Sequence, residues 1–500
     1  MSGWGVQKMN KYLRAVSDNF IFFVINAIFF LAITPVAMRI MGEEFYGLWA
    51  VLSALLLFSN IGNLGIGAIV MKFASETAPR YEQQARTNRI MTAGYFIVIA
   101  MSVAMAAMLL LSRTLISDNI PMKAELRGQF LQALVWIAVS IFPQFLARVP
   151  HGFLLSQLRN QTVRKIELFS AILLWLGAVL IALIEKNLAT IAAWCFVSNI
   201  LVFGIYLRVV HGLMPFRFQL DLGILHKMFK FSGFMFLETL AISLFQHFDK
   251  VIVGITLGPA LAGVYSVGTS VALRLSMLTG QATEVMIPYA SLQESLGDQR
   301  KLHVIFRQLS RSISLVIAGL GSLLILWMDE LLSLWISADY AGRYANGFRI
   351  LIIAYGLLSL TRPAHQTLTG IGKVKFTALI YLFSTILMLA VLFVFSREFG
   401  FLGAAASNLV LVFLLVFNIF LYFTFEVPLP WRQILADLKW GLFLPVLVYG
   451  LSLFLSSSAL TYKILETIIL GILLAWVVVK DNFALIKAGP WQVKQVISKT

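Results

Sequence analysis

Charged residues and cysteine are scarce in this 500-residue chain. Asp, Glu, Lys and Arg together make up 12% of it, about half of the ~25% usual in soluble domains, whereas 60% of the residues are hydrophobic. A soluble protein of this length needs a polar surface that this composition does not supply. The one cysteine, Cys195, excludes an intramolecular disulfide and a cysteine-based metal cluster. The sequence therefore predicts an integral membrane protein.

Catalytic and nucleotide-binding motifs are missing as well. The patterns G-x-x-x-x-G-K-[ST], H-E-x-x-H, G-x-S-x-G and C-x-x-C do not occur, and the six histidines show no metal-ligand spacing. We therefore expect no cofactor, no metal and no enzymatic activity. A membrane glycosyltransferase or polymerase is the main enzymatic alternative, but it would need acidic residues on a sizeable outer loop. The net charge of +16 is spread in short clusters between apolar runs, so it does not indicate a nucleic-acid partner.

Apolar runs of about 20 residues recur along the whole chain and predict an all-α polytopic membrane protein. We count fourteen candidate transmembrane helices, the first of them uncleaved. They lie near 18–40, 45–71, 90–112, 128–154, 166–184, 188–207, 231–256, 262–288, 312–330, 348–369, 376–396, 402–425, 438–456 and 462–480.

The distribution of basic residues predicts the orientation. With the N-terminus inside, 26 of the 39 Lys and Arg residues fall in inner segments, 9 in outer segments and 4 within spans. Because cytoplasmic loops of membrane proteins are enriched in Lys and Arg, both termini are predicted to be cytoplasmic.

An internal sequence repeat relates the first six spans to the next six. At a spacing of 216 residues, Gly42 and Gly47 recur as Gly258 and Gly263 in the same frame. A second match, at a spacing of 214, pairs Arg148 and His151 of the fourth span with Arg362 and His365 of the tenth. Since spans one and seven run in the same direction, the repeat is parallel. We predict a six-helix lobe over 1–221, a second over 222–431, and two extra helices with a basic cytoplasmic tail over 432–500.

Four short motifs resemble a known transporter family. They are Met41-Gly42-Glu43-Glu44-Phe45-Tyr46-Gly47-Leu48-Trp49, Asn63-Leu64-Gly65-Ile66-Gly67, Phe248-Asp249-Lys250-Val251-Ile252-Val253-Gly254 with the following Gly263-Val264-Tyr265, and Gly370-Ile371-Gly372-Lys373. They are similar to motifs of the lipid-linked oligosaccharide (Wzx-like) flippases, within the multidrug/oligosaccharidyl-lipid/polysaccharide exporter superfamily. Asn63 departs from the acid usual at its position. The resemblance covers all fourteen spans and implies a transporter of the bacterial inner membrane.

Polar residues in the fourth and tenth spans form the first candidate site. Ser140, Gln144, Arg148 and His151 fall on one helix stripe, and two prolines interrupt that helix. Inserting an ionised side chain into the bilayer costs at least ~2.5–3.5 kcal/mol, so a charged residue within a span indicates a functional or structural role. Together with Arg362 and His365, these residues predict a cationic clamp for a diphosphate, because the arginine fork binds phosphate oxygens bidentately. The alternative is that the arginines snorkel to the headgroups.

The seventh and eighth spans add further candidates. Asp249 and Lys250 are neighbours pointing about 100° apart, so we expect no direct pair between them. Arg274 lies near the middle of its span and ranks first as a cavity residue, followed by Lys250 and Asp249. The remaining candidates in these spans and the first are Glu238, Gln281, Glu284 and Arg39. A buried Asp–Arg pair that only fixes helix packing is the alternative for the seventh and eighth spans. A surface ion pair is the alternative for Arg39, a position that the resemblance places toward the cavity.

These observations lead to two functional hypotheses. The resemblance implies a flippase for polyprenyl-diphosphate-linked oligosaccharide in the synthesis of O-antigen, capsule or exopolysaccharide, working by alternating access of two lobes. Asp249, Glu238 and Glu284 are its candidate ion-coupling residues. Membrane lipids surround it, and a polysaccharide polymerase and a chain-length regulator are candidate partners. The alternative is an ion-coupled multidrug or small-solute antiporter of related fold.

Overall fold

The computed structural model describes residues 3–58, 65–75, 80–157, 159–283, 286–427, 430–454, 463–464 and 466–472. The regular structure within these ranges is entirely helical, with no β-strand among them. The predicted all-α fold is therefore confirmed.

The first half of the chain forms nine helices within the described ranges. They are α1 (Gly3–Met41), α2 (Glu43–Phe58), α3 (Ile66–Ser75), α4 (Arg80–Asn119), α5 (Ala124–Leu146), α6 (Arg148–Ser156), α7 (Asn160–Ile184), α8 (Leu188–His211) and α9 (Leu222–Ser243).

The second half begins with a π-helical turn, Leu244–Phe248, that continues α9. Its α-helices are α10 (Asp249–Leu257), α11 (Pro259–Thr283), α12 (Met286–Leu296), α13 (Gln299–Val316), α14 (Ser322–Leu326), α15 (Met328–Trp335), α16 (Ala338–Gly370), α17 (Val374–Ser407), α18 (Val416–Thr424) and α19 (Pro430–Phe454). A second π-helical turn, Ile317–Gly321, joins α13 to α14, and a 3₁₀ segment, Asn408–Leu415, joins α17 to α18.

Ten helical stretches in the described residues are long and apolar enough to cross a membrane. One of them, Val374–Thr424, has 51 residues, more than twice the ~20 that one crossing needs. Within it, Gly400 has φ 59° and ψ −140°, which interrupts the helix between the predicted runs 376–396 and 402–425. The multi-pass architecture is confirmed, and the number of fourteen spans stays a prediction.

The predicted repeat is visible in the backbone of two turns. Gly42 ends α1 with φ 80°, and Gly258, 216 residues later, ends α10 with φ 89°. Both positions need the left-handed region that glycine adopts without steric cost. Gly47 of α2 and Gly263 of α11, the next repeat-related pair, face each other. A Cβ on Gly263 would lie 3.0 Å from Gly47 Cα, and one on Gly47 would overlap the carbonyl of Pro259.

Contacts group the chain into two compact units. Unit 1 lies within 1–270 and 378–407, and unit 2 within 271–377 and 408–500. This grouping describes contact density, whereas the predicted division at 221 and 431 describes the repeat and stays a prediction. The helices with the Arg-x-x-His pattern are among the more buried spans. In an apolar 18-residue window of each, 56% of the residues in Ala124–Ser156 of unit 1 and 78% of those in Ala338–Gly370 of unit 2 are buried.

Candidate functional site: a cavity in unit 1

Unit 1 contains a cavity of about 360 Å³ lined by α2 and by the helices α5 to α8. This volume is within the usual range of small-molecule sites, ~300–1,000 Å³. The wall combines aromatic and aliphatic side chains with a few polar and charged groups. Its residues are Trp49, Ser53, Leu56, Leu57, Gln144, Ala147, Arg148, His151, Glu167, Ser170, Ala171, Leu174, Trp175, Cys195, Asn199, Val202 and Tyr206.

Proline positions Arg148 and His151 in this wall. Pro150 has no backbone N–H and its ring crowds the carbonyl four residues earlier, so it breaks a regular helix near Leu146. The structure follows this rule, since α5 ends at Leu146 and α6 begins at Arg148. Residues three apart lie on one helix face, and α6 therefore presents Arg148 and His151 to the cavity together.

Glu167 links His151 to the start of α7. Its Oε1 lies 3.3 Å from His151 Nε2, and its Oε2 accepts a 2.8 Å hydrogen bond from Arg164 Nη1. An ionised carboxylate can only accept hydrogen bonds, so we assign the proton on His151 to Nε2. His151 Nδ1 is buried and has no hydrogen-bond partner within the described ranges. It is thus an acceptor while the ring is neutral and a donor once the ring is protonated.

The charges at this end of the cavity leave a positive excess. Arg148 and Glu167 both line the cavity, and Arg164, outside the wall, pairs with Glu167 at 2.8 Å. Trp49 is 2% exposed, and its Nε1, a donor only, has no partner among the residues that the structure describes. The arrangement suits a ligand that is polar and anionic and that also presents an apolar face to the two tryptophans of the wall.

The repeat-related residues of the tenth span lie in unit 2. Arg362 and His365 belong to α16, and the His365 ring lies 5.5 Å from the ring of Phe417. Arg362 Nε is buried without a hydrogen-bond partner in the described part of the chain. At the spacing of 214, Tyr381 stands where Glu167 stands in the first repeat. The two Arg-x-x-His elements therefore differ in their surroundings, and the predicted clamp stays a prediction.

The expectation that Asp249 and Lys250 do not pair is wrong. Lys250 Nζ lies 3.1 Å from Asp249 Oδ1, with the lysine side chain 11% exposed and the aspartate fully buried. The flexible lysine stem bends back along the helix, where Nζ also donates to the carbonyl of Gln246. The Lys250 backbone N–H also donates to Asp249 Oδ1, at 2.8 Å. Both residues lie in the first turn of α10, directly after the π-helical turn Leu244–Phe248.

The other candidates lie outside the wall of this cavity. Arg274 and Gln281 are half-buried residues of α11 in unit 2. Arg39 is exposed near the end of α1, while Glu44, one of its expected neighbours, pairs at 2.9 Å with Lys123. That pair raises the pKa of Lys123 above its ordinary value, through the Glu44 hydrogen bond first and its negative charge second. Glu284 and the side chain of Glu238 fall outside the described residues.

Sequence reasoning missed several wall residues, above all Glu167, Trp49 and Trp175. Glu167 is an acid at the second position of an apolar run, three residues after Arg164, and that spacing is a detectable signal for an ion pair on a helix. Its contact with His151 depends on how α6 packs against α7. The tryptophans carry no signal that separates a cavity wall from an ordinary core.

The fold and this partly charged interior cavity define a multi-pass membrane protein of a transporter fold. The chain belongs to the family described as "Polysaccharide biosynthesis protein", whose model matches residues 36–345. A relative from Shigella flexneri, named "Putative O-antigen transporter", is 23% identical over 389 residues, which cover 74% of this chain and 87% of the relative.

Solved structures of transporters share the fold. The lipid II flippase MurJ in an inward closed conformation aligns with a TM-score of 0.69 at 12% identity, over 93% of this chain and 100% of that one. An inward-facing multidrug resistance MATE transporter of the MOP superfamily aligns with a TM-score of 0.64 at 11% identity, over 85% and 96%. The resemblance that the motifs indicated is confirmed. These relatives are transporters and a flippase, not enzymes, in agreement with the prediction that the chain catalyses no reaction.

Proposed function

We propose that the protein is a flippase that moves polyprenyl-diphosphate-linked oligosaccharide from the cytoplasmic to the outer leaflet of the bacterial inner membrane. The product would serve the synthesis of O-antigen, capsule or exopolysaccharide. The observation that carries the proposal is the cavity with Arg148, set inside a transporter fold of a polysaccharide biosynthesis family. The names of the Shigella flexneri relative and of MurJ support the same kind of function.

The cavity offers chemistry that suits an anionic headgroup. Arg148 can bind two oxygens of a phosphate or carboxylate at once, and Trp49 and Trp175 give apolar surface for sugar rings. The long lipid tail would remain in the bilayer while the two lobes open first to one side and then to the other. Arg362, His365, Arg274, Gln281, Lys250 and Arg39 remain proposed contacts for other parts of the substrate.

Ion coupling is the second part of the proposal. Asp249, Glu238 and Glu284 are its proposed sites. Asp249 Oδ2 is buried and, among the described residues, has no hydrogen-bond partner, so it is the oxygen that could accept a proton or sodium ion. We also propose that both termini are cytoplasmic, as the Lys and Arg distribution favours, and that a polysaccharide polymerase and a chain-length regulator act with the flippase.

Transport by everted inner-membrane vesicles tests the proposal. Radiolabelled lipid-linked oligosaccharide would be formed on the exposed cytoplasmic leaflet, and its appearance on the other leaflet followed with and without the protein. We expect Arg148→Gln to slow transport about 10- to 100-fold, since a hydrogen bond to a charged group contributes about 1.5–3 kcal/mol. Arg148→Lys should retain part of the rate, because it keeps the charge but not the fork.

Arg113→Gln is the matched control. Arg113 is exposed near the end of α4, so this variant removes the same charge from the same unit outside the cavity. Normal transport by Arg148→Gln would contradict the proposed role of the cavity. If the inserted wild-type protein moves no lipid-linked oligosaccharide but exchanges ions for small cationic solutes, the antiporter alternative replaces the flippase.

A further inference from the structure

A second cavity, of about 400 Å³, opens between α4 and the beginning of α9. Its wall consists of four residues of α4 from Phe96 to Met101 and four of α9 from Leu222 to Phe229. Seven of the eight are apolar, and His226 is the exception. It shares no residue with the cavity that contains Arg148. We call it the α4–α9 groove.

The segment before α9 is fixed along α4 beside this groove. The backbone N–H of Arg217 donates to Asn88 Oδ1 at 3.2 Å, and that of Gln219 donates to Thr92 Oγ1 at 3.1 Å. The ring of Phe218 lies 5.8 Å from the ring of Phe96, which is itself part of the wall. The chain that links the two predicted repeats is therefore held at one edge of the groove.

Positive charge lies beside the groove, with Arg217 at this edge and Lys227 and Lys230 in α9 next to the wall residues His226 and Phe229. Arg217, Lys227 and Lys230 are exposed and form no ion pair with any residue in the described ranges. Asp221, a carboxylate at this edge, already has its partners. Its Oδ1 accepts the backbone N–H groups of Gly223 and Ile224, and its Oδ2 lies 3.7 Å from Arg89.

The edge with Arg89 and Arg217 and the apolar wall lie at different depths along α4. Arg89 is near the beginning of the membrane-spanning stretch Gln84–Asn119, and Met101 lies twelve residues further on. At ~1.5 Å per residue the groove reaches about 18 Å beyond Arg89, comparable with half of the ~30 Å hydrocarbon core. A molecule with an anionic head and a hydrocarbon chain matches both parts.

We infer that the α4–α9 groove binds an anionic glycerophospholipid, with one acyl chain between Phe96 and Phe229 and the phosphate beside Arg217, Lys227 and Lys230. Exposed lysines can direct their ammonium groups to the headgroup level while their stems cover apolar surface. Because the segment 213–221 bears part of the site, the bound lipid would hold the link between the two repeats against α4.

Lipid binding to the purified full chain tests this inference. Native mass spectrometry in detergent would compare phosphatidylglycerol with phosphatidylcholine of the same acyl chains, and inorganic phosphate and polyprenyl diphosphate as competitors. Each Lys or Arg near an anionic headgroup strengthens binding about fivefold. We therefore expect the triple variant R217Q/K227Q/K230Q to bind phosphatidylglycerol on the order of 100-fold more weakly.

Two further variants separate the contribution of the acyl-chain contact from that of the cationic side chains. Ala100→Trp fills the groove without changing any charge and should weaken both phospholipids. The triple variant R113Q/R159Q/K186Q removes three exposed cations elsewhere in unit 1 and should bind as the wild type does. Both variants that alter the groove change exposed positions, and their thermal unfolding without added lipid checks that they fold.

Three results would overturn the inference. They are unchanged phosphatidylglycerol binding by R217Q/K227Q/K230Q, unchanged binding by Ala100→Trp, and displacement of phosphatidylglycerol by inorganic phosphate alone. Tighter, groove-dependent binding of polyprenyl diphosphate would assign the groove to a polyprenyl lipid instead of a glycerophospholipid and would also overturn it. None of these outcomes depends on whether the protein proves to be a flippase.

Discussion

Replacing Gly47 with alanine places a methyl group against the backbone of α11, at the contact between the two repeat-related glycines. The added Cβ would overlap the carbonyl of Pro259, whereas a Cβ on Gly263 would lie 3.0 Å from Gly47 Cα. Carbon atoms pack best at about 3.5–4.0 Å. Gly263→Ala therefore requires α2 and α11 to separate by about 0.5–1.0 Å, and Gly47→Ala requires a larger movement.

A gap of that size removes about a quarter to a half of the dispersion energy of each atom contact across the interface. Overpacking of a tight core costs about 1–3 kcal/mol. We expect Gly263→Ala to fall within this range and Gly47→Ala to reach or exceed its upper end. Gly204→Ala is the matched control, because no heavy atom lies within 4 Å of its Cβ position. Alanine is also about 1 kcal/mol better than glycine inside a helix, so this variant should be neutral or stabilising.

Labelling of Cys195 measures the thermal stability of these variants. It is the single cysteine of the chain, it is 1% exposed, and it belongs to the same unit as the two glycines. A fluorogenic maleimide added during heating of the detergent-solubilised protein therefore reports when unit 1 opens. From most to least thermally stable, the expected order is Gly204→Ala, wild type, Gly263→Ala and Gly47→Ala. Wild-type stability of Gly47→Ala would refute the close helix contact.

Two further predictions concern unit 2. Asp437 is fully buried and accepts hydrogen bonds from both Arg307 and Arg311, so Asp437→Asn should destabilise the protein by about 1.5–3 kcal/mol, the usual contribution of hydrogen bonds to a charged group. Arg311→Gln should cost under about 1 kcal/mol, since Arg311 is 40% exposed. Thermal unfolding of the two variants measures both values, and an equal loss would contradict this reasoning. Lys463, 8% exposed, donates to Glu330 at 2.6 Å. Lys463→Gln should therefore increase limited proteolysis near 463–472, and an unchanged digestion pattern would contradict it.

The sequence predicted those features of the fold that depend on local chemistry. Long apolar runs can only become helices in a bilayer, because every backbone polar group must be satisfied within the chain. The repeat could be found because Gly42 and Gly258 are needed for the same turn, where a side chain would be strained. Pro150 marked the break that separates α5 from α6.

The features that were missed depend on tertiary packing or on side-chain conformation. Glu167 reaches His151 only because α6 and α7 pack side by side, and no spacing rule connects residues 151 and 167. The contact between Asp249 and Lys250 depends on how the flexible lysine side chain bends back along the helix, which the angle between neighbouring positions does not indicate. Sequence patterns therefore placed Arg148 and His151 on one face but could not supply their acidic neighbour.

The second predicted repeat contributes to unit 1 at two separate places, up to residue 270 and again from residue 378 to 407. The later piece is joined to the earlier one by a 2.9 Å hydrogen bond between Ser396 and Thr256 in α10. Since synthesis proceeds from the N-terminus, the early helices of unit 1 enter the membrane well before α17 exists. Unit 1 thus reaches its final packing only after about four-fifths of the chain has been made. A ribosome that stalls before residue 378 would leave behind an inserted but incomplete unit, a natural substrate for membrane quality control.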